Sequence, residues 1–166
     1  MCASISEVSN VANKYAARKK FDEGVAAYVK KDFKTSVDLF SRAIKYDPTL
    51  ALFFVCRGAA RLKLGRARDA IGDFNQAIKL NSTYARAYHL RGLAYEKLGQ
   101  FARAFQDFDT SLEIDPEYGA AYHSRKSMLS KPKQSDSSHE EFEMVNHLMA
   151  MRLTSFDDNV PSDLEV

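Results

Sequence analysis

The sequence predicts an all-α fold, a solenoid of antiparallel helix hairpins stacked one on the next. Three observations carry that expectation. Gly24, Gly58 and Gly92 stand 34 residues apart, and Phe40, Phe74 and Phe108 repeat the same offset, so one unit recurs at the length of a helix pair. Apolar residues otherwise recur at three- and four-residue steps, with no long run of period-two alternation, which is the periodicity of helices rather than strands. Only 7 Gly and 4 Pro interrupt the 166 residues, too few for a fold of many short strands and turns.

The elements follow in chain order once each unit is numbered so that its Gly is the eighth residue. Residues 1–16 form an N-terminal extension, expected to add a helical turn or two. The units proper are Ala17–Leu50, Ala51–Tyr84 and Ala85–Tyr118. Each carries small residues where two helices must nearly touch: Gly24, Gly58 and Gly92 at position 8, Ser36, Ala70 and Ala104 at position 20, Ala43, Ala77 and Ser111 at position 27. Missing side-chain volume at such points lets the ridges of one helix settle into the grooves of another. Phe40, Phe74 and Phe108 at position 24, with Phe54 and Tyr88 at position 4, supply the complementary bulk.

The stretches "KKDF", "LGRA" and "LGQF" separate the two helices of each unit, and Gly65 and Gly99 suit the left-handed residue that ends a helix. Pro48 and Pro116 disfavour helix in the residue before them and so punctuate the joints between units. Beyond Tyr118 the register continues, with Tyr122, Leu129, Ser138, Phe142 and Val145 in phase. Residues 119–152 therefore read either as a degenerate fourth unit or as a capping helix followed by an independent one, because Lys126 stands where Gly is expected and "SKPKQSDSSH" replaces the tight turn. Residues 153–166 are expected to be a disordered acidic tail.

With those residues in view, the pattern resembles the tetratricopeptide repeat, a 34-residue helical hairpin. In the third unit Tyr88, Gly92, Tyr95, Ala104, Phe108 and Pro116 occupy the signature positions, while Arg91 and Ser111 depart from them. The resemblance implies a right-handed superhelix whose first helices line a concave groove. It also implies the groove residues: Arg18, Phe21, Val25, Tyr28 and Val29 from the first unit, Leu52, Val55, Ala59, Leu62 and Lys63 from the second, Arg86, His89, Leu93, Glu96 and Lys97 from the third, and His123, Ser127 and Lys131 beyond. Phe21, Val25, Tyr28, Leu52, Val55 and Leu62 would then expose an apolar patch, to be covered either by Ile5, Val8 and Val11 of the extension or by an apolar or amphipathic partner.

Members of the family that grip the terminal carboxylate of heat-shock chaperones use Lys and Asn in the first unit, Asn in the second, and Lys and Arg in the third. The matching positions here hold Phe21, Val25, Cys56, Arg86 and Leu90. That clamp is expected to be absent.

Searches for chemistry return little. The glycines serve packing and turns rather than a phosphate loop, and in "HEEFEMVNH" the two His are eight residues apart, where a zinc helix needs one turn. His89, His123 and Cys56 fall near one another on successive first helices, which repetition alone explains. The expectation is therefore no enzyme, no metal and no cofactor. Cys2 and Cys56 form no disulfide framework, and no long apolar run marks a leader or a membrane span, so a cytoplasmic setting is the default.

Net charge is +2, divided into about −7 on residues 136–166 and +9 on the rest. Three functions fit these features. The first is a non-enzymatic protein–protein adaptor that holds a partner peptide or helix in the groove. The second is a small secretion-type chaperone for a translocated protein. The third and weakest is nucleic-acid binding through the basic residues between Lys14 and Lys34, which Asp22, Glu23 and Asp32 interrupt. Self-association through the ends of the solenoid stays open as well.

Overall fold

The computed structural model describes residues 5–130, which form seven α-helices: α1 (Ile5–Val29), α2 (Phe33–Tyr46), α3 (Ala51–Lys63), α4 (Ala67–Leu80), α5 (Ala85–Lys97), α6 (Phe101–Ile114) and α7 (Gly119–Leu129). The pairs α1–α2, α3–α4 and α5–α6 pack as hairpins, and each hairpin docks on the next through α2–α3, α4–α5 and α6–α7. Odd-numbered helices also meet along the row, α3 with α5 and α5 with α7. They line the inner side of the stack. Lys131, the second helix expected within 138–152, its methionines and the tail at 153–166 lie outside the described residues.

The repeated Gly and Phe lock each hairpin. Phe40, Phe74 and Phe108 are essentially without exposure, and each ring lies over the Gly sixteen residues earlier. A methyl group built on Gly24, Gly58 or Gly92 would stand 2.8, 2.6 or 2.6 Å from that ring, closer than two carbons approach. The small residues at positions 20 and 27 are all at 0% exposure, and the two serines among them satisfy their hydroxyls on backbone: Ser36 Oγ donates to the Gly24 carbonyl at 3.0 Å and Ser111 Oγ to that of Ala85 at 2.9 Å. A buried hydroxyl without such a partner would cost about 1–3 kcal/mol.

The turns inside hairpins share one design. Gly65 and Gly99 take φ of +76° and +72°, and the following amide closes onto the carbonyl five residues back (Arg66 to Arg61 and Gln100 to Tyr95, both 2.9 Å). In the first hairpin the same left-handed position belongs to Lys31, at φ +63°. Between hairpins, Asp47, Asn81 and Asp115 each accept from the backbone amide two residues on, a side-chain turn that joins the units whether or not a proline follows.

A second repeated feature was not anticipated. Arg57 and Arg91, one residue before the locking glycines, grip Asp73 and Asp107 of the same hairpin, with shortest contacts of 2.7 Å in each. Each also reaches the preceding hairpin: Arg57 Nη1 donates to Ser41 Oγ at 3.2 Å and Arg91 Nη1 to Asn75 Oδ1 at 2.7 Å. Arg125 continues the series, 2.8 Å from Asp109 of α6. These arginines staple helix to helix and hairpin to hairpin.

The N-terminal extension departs from expectation. It is neither a turn or two nor a flap over the groove, because α1 runs unbroken from Ile5 and projects about three turns beyond Ala17. Val11, on that projection, is 68% exposed. It covers nothing.

Candidate functional site

The inner face contains a pocket of about 670 Å³ between α1, α3 and α5. Its apolar floor is Tyr28, Ala59, Leu62, Leu90 and Leu93, closed at one side by Phe101 from the start of α6. Lys63, Glu96 and Lys97 ring its mouth. Tyr28, the α1 member of the lining, stands edge-on against Phe33 at 5.2 Å. A concave site that mixes apolar side chains with Lys63, Glu96 and Lys97 suits an apolar side chain flanked by polar groups.

Seven of the residues expected in the groove meet there: Tyr28, Ala59, Leu62, Lys63, Leu93, Glu96 and Lys97. Arg18, Val25, Leu52 and Arg86 are exposed and do not line the pocket. Position 5 overturns the expectation of an open apolar patch. Phe21 stacks on Phe53 at 5.0 Å and lies 5.5 Å from Phe40, Val55 is 1% exposed, and His89 is buried between Phe108, Tyr118 and Ser124. Each is covered by the hairpin that follows it, so position 5 serves the contact between units. His123 is exposed, and the part of the chain that would follow α7 lies beyond the described residues. Leu62 is buried as well, at 9%, and takes part only as the pocket floor.

Leu90 and Phe101 were missed. Leu90 had been considered only for the carboxylate clamp, and Phe101 belongs to a second helix, outside the set of positions assigned to the groove; its place directly after the "LGQ" turn was the available signal.

Two titratable groups of the first helices, Cys56 and His89, are shifted chiefly by burial. Burial raises the thiol of Cys56 above its ordinary value, which keeps it protonated and unreactive. Burial, reinforced by the charge of Arg86, holds the His89 imidazole below its ordinary value, with Nε2 3.0 Å from Ser124 Oγ and Nδ1 3.5 Å from the Tyr118 hydroxyl. His89 thus serves packing between hairpins. The guanidinium of Arg86 also opposes the effect of burial on Tyr28, Cys56, Tyr84 and Tyr118. Among the described residues it forms no ion pair. No group of three or more His, Cys, Asp or Glu among those residues is placed to hold a metal, and no described helix is long and apolar enough to cross a membrane.

The family model described as a tetratricopeptide repeat matches residues 85–118, and one described as a TPR repeat matches residues 62–99. Among solved structures, the second TPR of Spaghetti (RPAP3), bound to the HSP90 peptide SRMEEVD, is 31% identical over 66% of this chain and 99% of that one, at a TM-score of 0.62. The chain belongs to the tetratricopeptide repeat family. The TPR domain of Arabidopsis OM64 is similarly close, at 29% identity, TM-score 0.68, and 70% and 96% coverage of the two chains. The second TPR domain of human RPAP3, in complex with the HSP70 peptide SGPTIEEVD, follows at 27% identity, TM-score 0.67, and coverage of 74% and 99%. The tetratricopeptide match at 85–118 coincides with the third hairpin, where Arg91 stands outside the family signature and holds Asp107.

Proposed function

We propose that this tetratricopeptide chain is a non-enzymatic protein–protein interaction adaptor that holds an extended peptide or helix of a partner against its inner face. The pocket walled by Tyr28, Leu62, Leu93 and Phe101 carries this reading, since it offers one large apolar side chain a place while the open helix ends leave room for the backbone on both sides. The charge of Arg86, which has no ion pair among the described residues, favours an acidic residue nearby in the same peptide.

Two of the similar structures hold heat-shock peptides ending in EEVD. The positions that resemblance assigns to the terminal-carboxylate clamp argue for a different ligand here. Phe21 lies in an aromatic cluster, Cys56 and Leu90 are half-buried, Val25 offers no hydrogen bond, and Arg86 alone carries charge. The partner is therefore an internal acidic and apolar segment rather than a chain end. Basic residues near the amino end give nucleic acid less purchase than their number suggests, because Arg18 and Lys20 already hold Asp22 and Glu23.

Selection from a display library of random peptides tests the proposal. Enriched peptides are expected to share a large apolar residue near an acidic one, to bind equally well with an amidated terminus, and to weaken at least roughly tenfold against Ala59→Trp, which fills the pocket. SRMEEVD and SGPTIEEVD, labelled for fluorescence anisotropy, are expected to bind no better than scrambled controls. Peptides that require a free carboxylate, or that bind Ala59→Trp unchanged, would refute the assignment.

A further inference from the structure

α1 carries a second surface that neither the hairpin core nor the pocket uses. Val11, Tyr15, Arg18, Asp22, Val25 and Val29 recur at alternating steps of four and three residues, the spacing that keeps side chains in one line along a helix and forms the seam of a coiled coil. The four apolar members are exposed, at 68% for Val11, 74% for Tyr15, 38% for Val25 and 75% for Val29. No other described helix exposes more than two large apolar side chains. At the centre of the line Arg18 and Asp22 pair at 3.1 Å, yet each side chain stays more than half exposed.

The surroundings of the line also differ from those of later hairpins. Lys19 and Ala26 beside it are exposed, whereas the equivalent residues Phe53 and Ala60 of α3, and Ala87 and Ala94 of α5, are buried against the hairpin before them. Among the described residues no hairpin precedes α1. Its side is left open.

We propose that a second copy of this chain occupies that side, with the two α1 helices antiparallel and related by a two-fold axis near Lys20. In this register Val11 meets Val29 of the other copy, Tyr15 meets Val25, and Arg18 meets Asp22; the axis then repeats each pairing. Six successive layers match, four of them apolar with apolar and the central two cation with anion. A parallel arrangement would instead set Arg18 on Arg18 and Asp22 on Asp22, which like-charge repulsion disfavours. The matched line is about 27 Å long at the helical rise. Small Ala12 and Ala26 flank it and permit close approach. α1 itself carries four basic and three acidic residues, so the positive charge of the body is not concentrated where the copies meet. The occupant is a second copy because the pattern is complementary to itself on reversal, a property that an unrelated partner has no need of.

Sedimentation equilibrium of the full chain at micromolar concentrations is expected to give a dimer in reversible equilibrium with monomer. Arg18→Asp and Asp22→Arg, each alone, oppose like charges and are expected to weaken the dimer by roughly tenfold or more. The double variant is expected to restore it, and an equimolar mixture of the two single variants to form a heterodimer. Circular dichroism checks that these exposed substitutions leave helicity unchanged. In a chain with Cys2→Ser and Cys56→Ala, Val11→Cys mixed with Val29→Cys is expected to cross-link on oxidation far faster than either alone, which fixes the antiparallel register. A wild-type chain that stays monomeric, or a dimer indifferent to the single charge reversals, overturns the proposal. So does a monomer whose Tyr15→Cys thiol is shielded from maleimide, since that would assign the seam to another segment of the same chain.

Discussion

The first hairpin and the two that follow share the Gly–Phe lock but are stapled differently. In the second and third, Arg57 and Arg91 bind an aspartate of their own hairpin and a polar residue of the one before. In the first, Glu23 and Leu39 stand at those two positions, and Glu23 pairs locally with Lys20 on the same helix at 2.7 Å. The difference teaches that the staple is a device for joining hairpins. With no hairpin before α1 among the described residues, an arginine there would find no second partner among them. The turn differs in the same sense: α3 and α5 end on glycine, and α1 ends on Lys31 in a left-handed conformation that costs a side-chain-bearing residue about 1–2 kcal/mol.

The largest expected effect breaks the staple. Arg91→Leu leaves Asp107 buried without its cation, and urea denaturation is expected to show a loss of about 3–5 kcal/mol. Burial already raises the Asp107 carboxyl, against the pull of the two Arg91 hydrogen bonds, so Arg91→Leu with Asp107→Leu is expected to recover much of that loss. Glu23→Ala in the first hairpin is expected to leave the urea midpoint almost unchanged, because its pair with Lys20 is a local contact within one helix. Equal losses at Arg91 and Glu23 would abolish the contrast.

Next in size is the shared lock. Gly24→Ala and Gly58→Ala each press a methyl against a buried phenylalanine, and each is expected to cost about 1–3 kcal/mol. Thermal melts of the two variants should therefore agree, in contrast to the staple variants.

Acid sharpens the third hairpin against the first. His89 is held neutral in the folded chain, below an unfolded value near 6.5. On acidification the unfolded state takes up the proton first, so stability present above about pH 6.5 is lost as pH falls toward the folded value. The melting midpoint is expected to drop between pH 7 and pH 5, and His89→Leu is expected to flatten that drop. The first hairpin has Phe21 at the corresponding position and contributes none of it.

The smallest effect is in the turns. Lys31→Gly is expected to gain about 1 kcal/mol and Gly99→Ala to lose a similar amount, since both substitutions act on a left-handed residue. If Lys31→Gly destabilises instead, the Lys31 side chain makes a contribution that outweighs the backbone cost.

Much of this was legible in the chain. Three phased copies of one pattern reveal which residues touch within a hairpin, because Gly24, Gly58 and Gly92 can be read against Phe40, Phe74 and Phe108 without coordinates. The staple could have been read the same way, since Arg57 with Asp73 and Arg91 with Asp107 keep one spacing; Arg91 registered only as a departure from the family signature. The site was less legible. Assigning position 5 to the groove placed Phe21, Val55 and His89 on a surface, when the following hairpin covers all three.

The sequence by itself determined the all-α class, the 34-residue period and the hairpin lock, because each rests on residue identity at a repeated spacing. Only the tertiary structure decided which first-helix residues stay open, how Phe101 closes the pocket, and that α1 projects past the stack with one line of Val11, Tyr15, Val25 and Val29 exposed. Helical periodicity assigns a residue to a direction around its own axis; whether that direction ends in solvent or in a neighbour depends on where the next hairpin lies.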